Sequence, residues 1–308
     1  MENIIEIEGL SKDYETGFLR KKKVRALDGL NLQVKAGGIF GFLGGNGAGK
    51  TTTIKILMSL LDPSAGNARI LGHDISEVAM HNRIGYCPEN PYFYDYLTAN
   101  ELMNYFGEIF GLDPAKRRTK TDELLTSVGL LEKDRNKQLR KFSKGMLQRV
   151  GLAQALINDP EIVFLDEPMS GLDPMGRREI RDLIAGLRDK GTSVFMSTHI
   201  LSDVEALCDD VAILRQGKLA ATGNLRELLA KEPGENSYEI TVADITADKL
   251  PLQGISKIEQ NGSLVNIEVA DEKDIEAVLT ALKTAGGRLI SINSVKRSLE
   301  ELFVQETK

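Results

Sequence analysis

Apolar residues alternate with polar ones at the start of the chain: Ile5 and Ile7 with Glu6 and Glu8, then Leu30, Leu32 and Val34 with Asn31 and Gln33. A period of two with one polar face predicts half-buried strands. Residues 39–43 are instead continuously apolar, as in a strand covered on both faces. A helical pattern over residues 52–61 follows, and others run over 98–110, 114–128 and 144–158, separated by turn signals such as Gly111-Leu112-Asp113-Pro114. Short apolar runs return at 162–165, 193–196 and 211–214, each bounded by helices. Strand and helix alternating in this way predict an α/β fold with a parallel sheet.

Near Lys231-Glu232-Pro233-Gly234-Glu235-Asn236-Ser237 the texture becomes that of a polar connector. Beyond it Tyr238, Ile240 and Val242 alternate, as do Val265, Ile267 and Val269, while Ile275, Val278, Leu279 and Leu282 fall at helical spacing. A strand over 289–292 and a last helix, with Ser298 and Glu301 set as a capping box, complete a small α+β module. Two domains are expected, residues 1–230 and 237–308.

The 308 residues are 42% hydrophobic and 27% charged, which argues against disordered and fibrous classes. No apolar stretch approaches the ~20 residues that span a bilayer. Met1-Glu2-Asn3-Ile4-Ile5-Glu6 carries acid where a signal peptide carries base, so a cytosolic chain is expected. Cys87 and Cys208 lack metal-ligand spacing and read as reduced thiols. A net charge of -6 argues against nucleic acid as a partner. The basic run Arg20-Lys21-Lys22-Lys23, with Arg25, reads either as a solvated loop or as a contact for anionic lipid or a membrane partner.

Between strand 39–43 and the next helix lies Gly44-Gly45-Asn46-Gly47-Ala48-Gly49-Lys50-Thr51, which matches the phosphate loop GxxxxGK[ST]. Its glycines let successive backbone N–H groups turn toward one anion at a helix N-terminus. Gly44, Asn46, Gly47, Gly49, Lys50, Thr51 and Thr52 are the candidate nucleotide contacts: Lys50 meets the outer phosphates, and the Thr51 hydroxyl ligates Mg²⁺. A second apolar run delivers Asp166 and Glu167 at its carboxyl end, where open α/β sheets place their ligands. Asp166 is the candidate for holding Mg²⁺ opposite Thr51, and Glu167 the candidate for polarising the attacking water. In Phe142-Ser143-Lys144-Gly145-Met146-Leu147-Gln148-Arg149, Ser143 is a good N-cap, and a glycine in the first helical turn suits close approach to an anion.

This stretch, placed between the phosphate loop and the acidic strand, resembles the signature of the nucleotide-binding subunits of ATP-binding cassette (ABC) transporters. The resemblance covers residues 2–230 strongly and the C-terminal module weakly. It implies a P-loop NTPase domain with an antiparallel β subdomain and a helical subdomain. Ser170-Gly171-Leu172-Asp173 is similar to the family's D-loop; Asp173 and Pro174 also read as N-cap and first helical residue. His199, ending Ser197-Thr198-His199, resembles the switch histidine at the terminal phosphate. Tyr14, expected after the first strand, resembles the aromatic residue on which adenine stacks. Glu89 stands where the Q-loop usually has glutamine and so is a candidate for catalysis and for Mg²⁺, while adding like charge beside the phosphate. Gly45 replaces a common proline. Lys144 and Met146 depart from the commonest signature in the manner of export-type members, as does the closing Ser298-Leu299-Glu300-Glu301-Leu302-Phe303.

The resemblance further implies ATP and Mg²⁺ as cofactors, a homodimer or a heterodimer with a similar ATPase, and separate membrane-spanning permease subunits at the cytoplasmic face of the membrane. In the family, two such domains pair head to tail, so that Ser143 and Gly145 complete the phosphate loop of the other copy. Residues 92–98 begin the region that in relatives docks a coupling helix of the permease. A non-transport ABC ATPase acting on ribosomes or nucleic acid, a generic P-loop kinase or GTPase, and an importer subunit are the competing readings. Two cassettes in one chain, or a long coiled coil, would mark the first; neither is present.

Overall fold

In the computed structural model the alternating stretches at the start of the chain become two long strands, β1 (Asn3–Thr16) and β2 (Lys22–Lys35), which pair antiparallel. The structure describes residues 3–16, 22–229, 237–246, 254–269, 271–295 and 299. These divide between Leu225 and Arg226 into two compact units.

In the first unit β3 (Ile39–Leu43) leads through the glycine loop into α1 (Lys50–Leu57). Three strands without a counterpart among the sequence expectations follow: β4 (Ala65–Ile70), β5 (His73–Asp74) and β6 (Ile84–Cys87). The helical segment consists of α2 (Ala99–Ile109), α3 (Pro114–Ser127) and α4 (Lys144–Ala155). Each of the three starts on a side-chain cap: a Thr98–Glu101 capping box, Asp113 ahead of Pro114, and Ser143. The remaining elements are β7 (Ile162–Asp166), α5 (Pro174–Asp189), β8 (Ser193–Thr198), α6 (Leu201–Leu207), β9 (Asp210–Arg215) and β10 (Lys218–Asn224), while α7 (Leu225–Leu229) straddles the division into the second unit.

Among the described residues these strands build two sheets, one in the order β2-β1-β4-β5 and antiparallel, the other in the order β10-β9-β3-β8-β7-β6. The second is parallel from β9 to β6, with β10 added antiparallel at one edge. Every residue of β3, β7 and β8 is buried, as their continuous apolar runs require. Phe195 on β8 is the centre of their packing, with its ring 5.5 Å from Phe40, 5.2 Å from Phe42 and 5.4 Å from Phe164. The carboxyl ends of β3, β7 and β8 therefore lie side by side, which brings together three stretches far apart in sequence.

The second unit holds β11 (Ser237–Ala243), β12 (Ile255–Asn261), β13 (Leu264–Val269), α8 (Glu272–Ala285) and β14 (Arg288–Val295). Its sheet runs β12-β13-β11-β14 and is antiparallel throughout. Ile240, Val242, Val265, Ile267 and Val269 pack against Val278 and Leu282 of α8. Strand β12 went unread in the sequence. The connector over 231–236 and the Ser298–Glu301 capping box lie outside the described residues. Among those residues no helix is long and apolar enough to cross a membrane.

Candidate functional site

The glycine loop closes onto α1 through Gly49, which stands at the helix N-cap with φ of 112°, a left-handed conformation. A Cβ there would come within 2.7 Å of the Ala26 carbonyl oxygen and of Leu27 Cδ2, so both conformation and space demand glycine. Gly49 has no side chain with which to cap α1, and the first-turn N–H groups remain for an anion. Residues 45–52 line a cleft of about 350 Å³ together with Ala26, Glu89 and Glu167.

Lys50 turns back onto the loop. Its Nζ donates to the Gly44 carbonyl at 2.7 Å and the Gly45 carbonyl at 3.4 Å, and lies 3.3 Å from Glu167 Oε1. Both partners of this ion pair are buried. The other Glu167 oxygen, Oε2, is 2.7 Å from His199 Nδ1. A carboxylate oxygen accepts from an imidazole N–H, so this contact is a hydrogen bond in the tautomer that carries a proton on Nδ1. Glu167 thus links Lys50 of the loop to His199 past the end of β8.

Glu167 also carries φ of 51°, a left-handed backbone that costs a non-glycine residue on the order of 1–3 kcal/mol. Its N–H offsets this by donating to both the carbonyl and the hydroxyl of Ser197, each at 3.1 Å. The Ser197 hydroxyl in turn donates to Asp166 Oδ1 at 2.5 Å. That same oxygen accepts from the Thr51 hydroxyl at 3.3 Å. A hydroxyl and a carboxylate meeting in this way form an all-oxygen donor set that fits Mg²⁺. In the sequence Ser197 stands out only as part of the stretch ending in His199; the structure makes its hydroxyl the support of both acids.

Tyr14 needs a correction: β1 continues to Thr16, so Tyr14 lies within the first strand, paired with Val24. Its hydroxyl is 3.3 Å from Thr52 Oγ1, at the cleft margin, and Lys12 Nζ stands 5.7 Å from its ring centroid. Ser143 and Gly145 do not line the phosphate-loop cleft of their own chain. The Ser143 hydroxyl caps α4, accepting from Met146 N at 3.3 Å, and remains exposed. A Cβ on Gly145 would approach Leu172 Cδ2 at 3.1 Å. Asp173 accepts from Gly176 N at 2.8 Å as the cap of α5. Of the basic run, Arg20 and Lys21 lie outside the described residues, while Arg25 is engaged by Asp13 and Asp28 at 2.8 and 2.9 Å. Cys87, behind the cleft, is a free buried thiol whose pKa is pushed up to about 12 by burial and by nearby Asp166.

Compared with known proteins, residues 27–170 match the family described as ABC transporter, and residues 223–307 match the C-terminal domain of DrrA1-3-like ATP-binding proteins. An uncharacterized ABC transporter ATP-binding protein of Synechocystis is 43% identical over 99% of this chain and 85% of its own length. The chain belongs to the ABC transporter ATP-binding proteins. This ABC ATPase is also similar to the daunorubicin resistance ATP-binding protein DrrA3 of Streptomyces coeruleorubidus, at 34% identity over 92% of this chain and 91% of that one. It is 42% identical to the bacitracin transport ATP-binding protein BcrA of Bacillus licheniformis, over 71% and 69% of the two chains. Among solved structures, the dimeric post-hydrolysis state of the ATP-binding cassette MJ0796 with ADP and Pi superposes with a TM-score of 0.67 at 25% identity, covering 72% of this chain and 99% of that one. The ABC ATPase is thus an ATP-binding and ATP-hydrolysing transporter subunit.

Proposed function

We propose that this subunit powers export through separate membrane-spanning permeases, from the cytoplasmic face of the membrane, by ATP-driven pairing of two such chains head to tail. The daunorubicin resistance and bacitracin transport for which two relatives are named fit export. The observation that carries the chemistry is the chain Lys50–Glu167–His199 at the edge of the phosphate-loop cleft. Lys50 and His199, the two groups suited to the terminal phosphate, here share the one carboxylate suited to the attacking water. Arriving ATP offers them a stronger anion, and Glu167 is left to orient water and take its proton.

The loop N–H groups and Lys50 hold the phosphates, Tyr14 stacks on the base, and Thr52 and Asn46 border the nucleotide. Thr51, Asp166 and Glu89 would hold Mg²⁺, which when bound neutralises charge developing on the outer phosphates. Exposed Ser143, half-buried Gly145 and Asp173 beside them would close over the ATP of a second copy. Charge-assisted hydrogen bonds of about 1.5–3 kcal/mol each make closure depend on the terminal phosphate. We assign the ABC domain to residues 1–230 and dimer support or regulation to residues 237–308. The permease would dock on the apolar groove formed by Tyr92, Phe93, Phe106 and Phe110 with Tyr86 and Pro91, where Tyr92 is 98% exposed. Phosphate release from Glu167→Gln tests the chemistry: hydrolysis should fall about 10²–10⁴-fold with ATP binding retained. Turnover at the wild-type rate would remove Glu167 from its role.

A further inference from the structure

Asp203 is a buried acid that the proposed chemistry does not use. It lies in the first turn of α6, four residues after His199, and is only 1% exposed. Its Oδ1 is 3.5 Å from Arg181 Nη1. Among the described residues its Oδ2 has no hydrogen-bond partner, and neither has the buried Nε of Arg177. Arg177 and Arg181 stand one turn apart on α5, the helix capped by Asp173.

Among the described residues, the charged or titratable groups that bear on Asp203 include Arg177 and Arg181 from α5, Glu167 from the end of β7, His199 from its own segment and the Cys208 thiol just past α6. Burial pushes its carboxyl pKa up, against the pull of the two guanidinia. Stability is a weak reason to keep such a group, because well-packed apolar residues replace buried ion pairs at little or no cost. Its place in the chain suggests another reason. The segment carrying His199 leaves β8 at Thr198, whose hydroxyl accepts from Ile200 N at 3.0 Å, and Asp203 is the next anchor, holding the segment to α5.

We propose that Asp203 is a positioning residue for ATP hydrolysis: held by Arg181 and facing Arg177, it fixes the turn bearing His199, and through His199 the carboxylate of Glu167. The inference rests on the roles proposed above for Glu167 and His199. A shift of about 1 Å in such a constellation costs up to ~10²-fold in rate. Asp203→Asn keeps shape and removes charge, so it separates positioning from packing.

The test uses the full chain with labelled histidine, which gives three ring signals, from His73, His81 and His199. In Asp203→Asn the His199 signal should move while the other two stay, and kcat should fall about 10- to 100-fold with KM for ATP within about twofold. An unmoved His199 signal, or an unchanged kcat, overturns the proposal. Should Asp203→Asn not fold, Arg181→Lys, which keeps the charge and loses the fork, is measured in the same way with the same deciding signal. Glu167→Gln run in parallel separates the two failures. If it hydrolyses ATP normally, the reading of the site falls; if it is inactive while Asp203→Asn is normal, only the positioning role falls.

Discussion

At Glu167 three demands meet in one residue: a strained left-handed backbone, a buried ion pair to Lys50 and a short contact to His199. Strain of this kind persists only where surroundings over-determine it, and Ser197 supplies that with its carbonyl and hydroxyl. Ser197→Ala should therefore lower stability by about 1–3 kcal/mol, read by chemical denaturation, and weaken hydrolysis by loosening both acids. Gly49→Ala should do more harm to binding than to folding. Its Cβ meets the Ala26 carbonyl at 2.7 Å, and the loop has to open to admit it. Isothermal titration with ATP should show affinity reduced by about tenfold or more, for a strain of ~1–3 kcal/mol. The roles suggested for Lys50, Asp166 and Glu167 came from their motifs, but the contacts among them were hidden. Spacing along a chain says nothing about which strand ends become neighbours, and the support given by Ser197 appears only once β7 and β8 lie side by side.

Strand β8 carries the mechanical weight at the level of elements. Phe195 contacts three phenylalanines from β3 and β7, so Phe195→Ala should cost about 3–5 kcal/mol and show as a lower unfolding midpoint. Continuous apolar runs and helical spacing were readable: β3 falls where the run over 39–43 lies, and α2 and α3 lie within the patterns over 98–110 and 114–128. Other elements gave no such signal. β10, with Ala220, Ala221, Thr222 and Gly223, is an edge strand without an apolar stripe. β6 is four residues long and interrupted by Gly85, and Ile255 and Ile258 in β12 are three apart across a register shift, which breaks the alternation. Tyr14 was misplaced for a related reason: register shifts let β1 continue past Leu10 where alternation fades.

Over the whole molecule, burial protects both thiols. Cys87 and Cys208 are free and buried, and burial pushes the pKa of each upward, so neither offers a thiolate near neutral pH. A disulfide-exchange reagent should leave the native protein unmodified and titrate two thiols once it is unfolded, and rapid modification of either in the native state would contradict the packing. The chain's division of labour follows from the same geometry. The phosphate loop, Asp166, Glu167 and His199 gather at one end of the parallel sheet, while Ser143 lies exposed at the start of α4 and outside that cleft. Under the head-to-tail pairing proposed above, one chain would hold two halves of a site that a second copy joins. The most direct test is sedimentation of Glu167→Gln with and without ATP. The variant should sediment at twice the monomer mass with ATP and as the monomer without it, and should lose the ATP-bound dimer when Ser143→Arg is added. A monomer under all conditions, or a dimer indifferent to Ser143→Arg, would contradict the head-to-tail pairing.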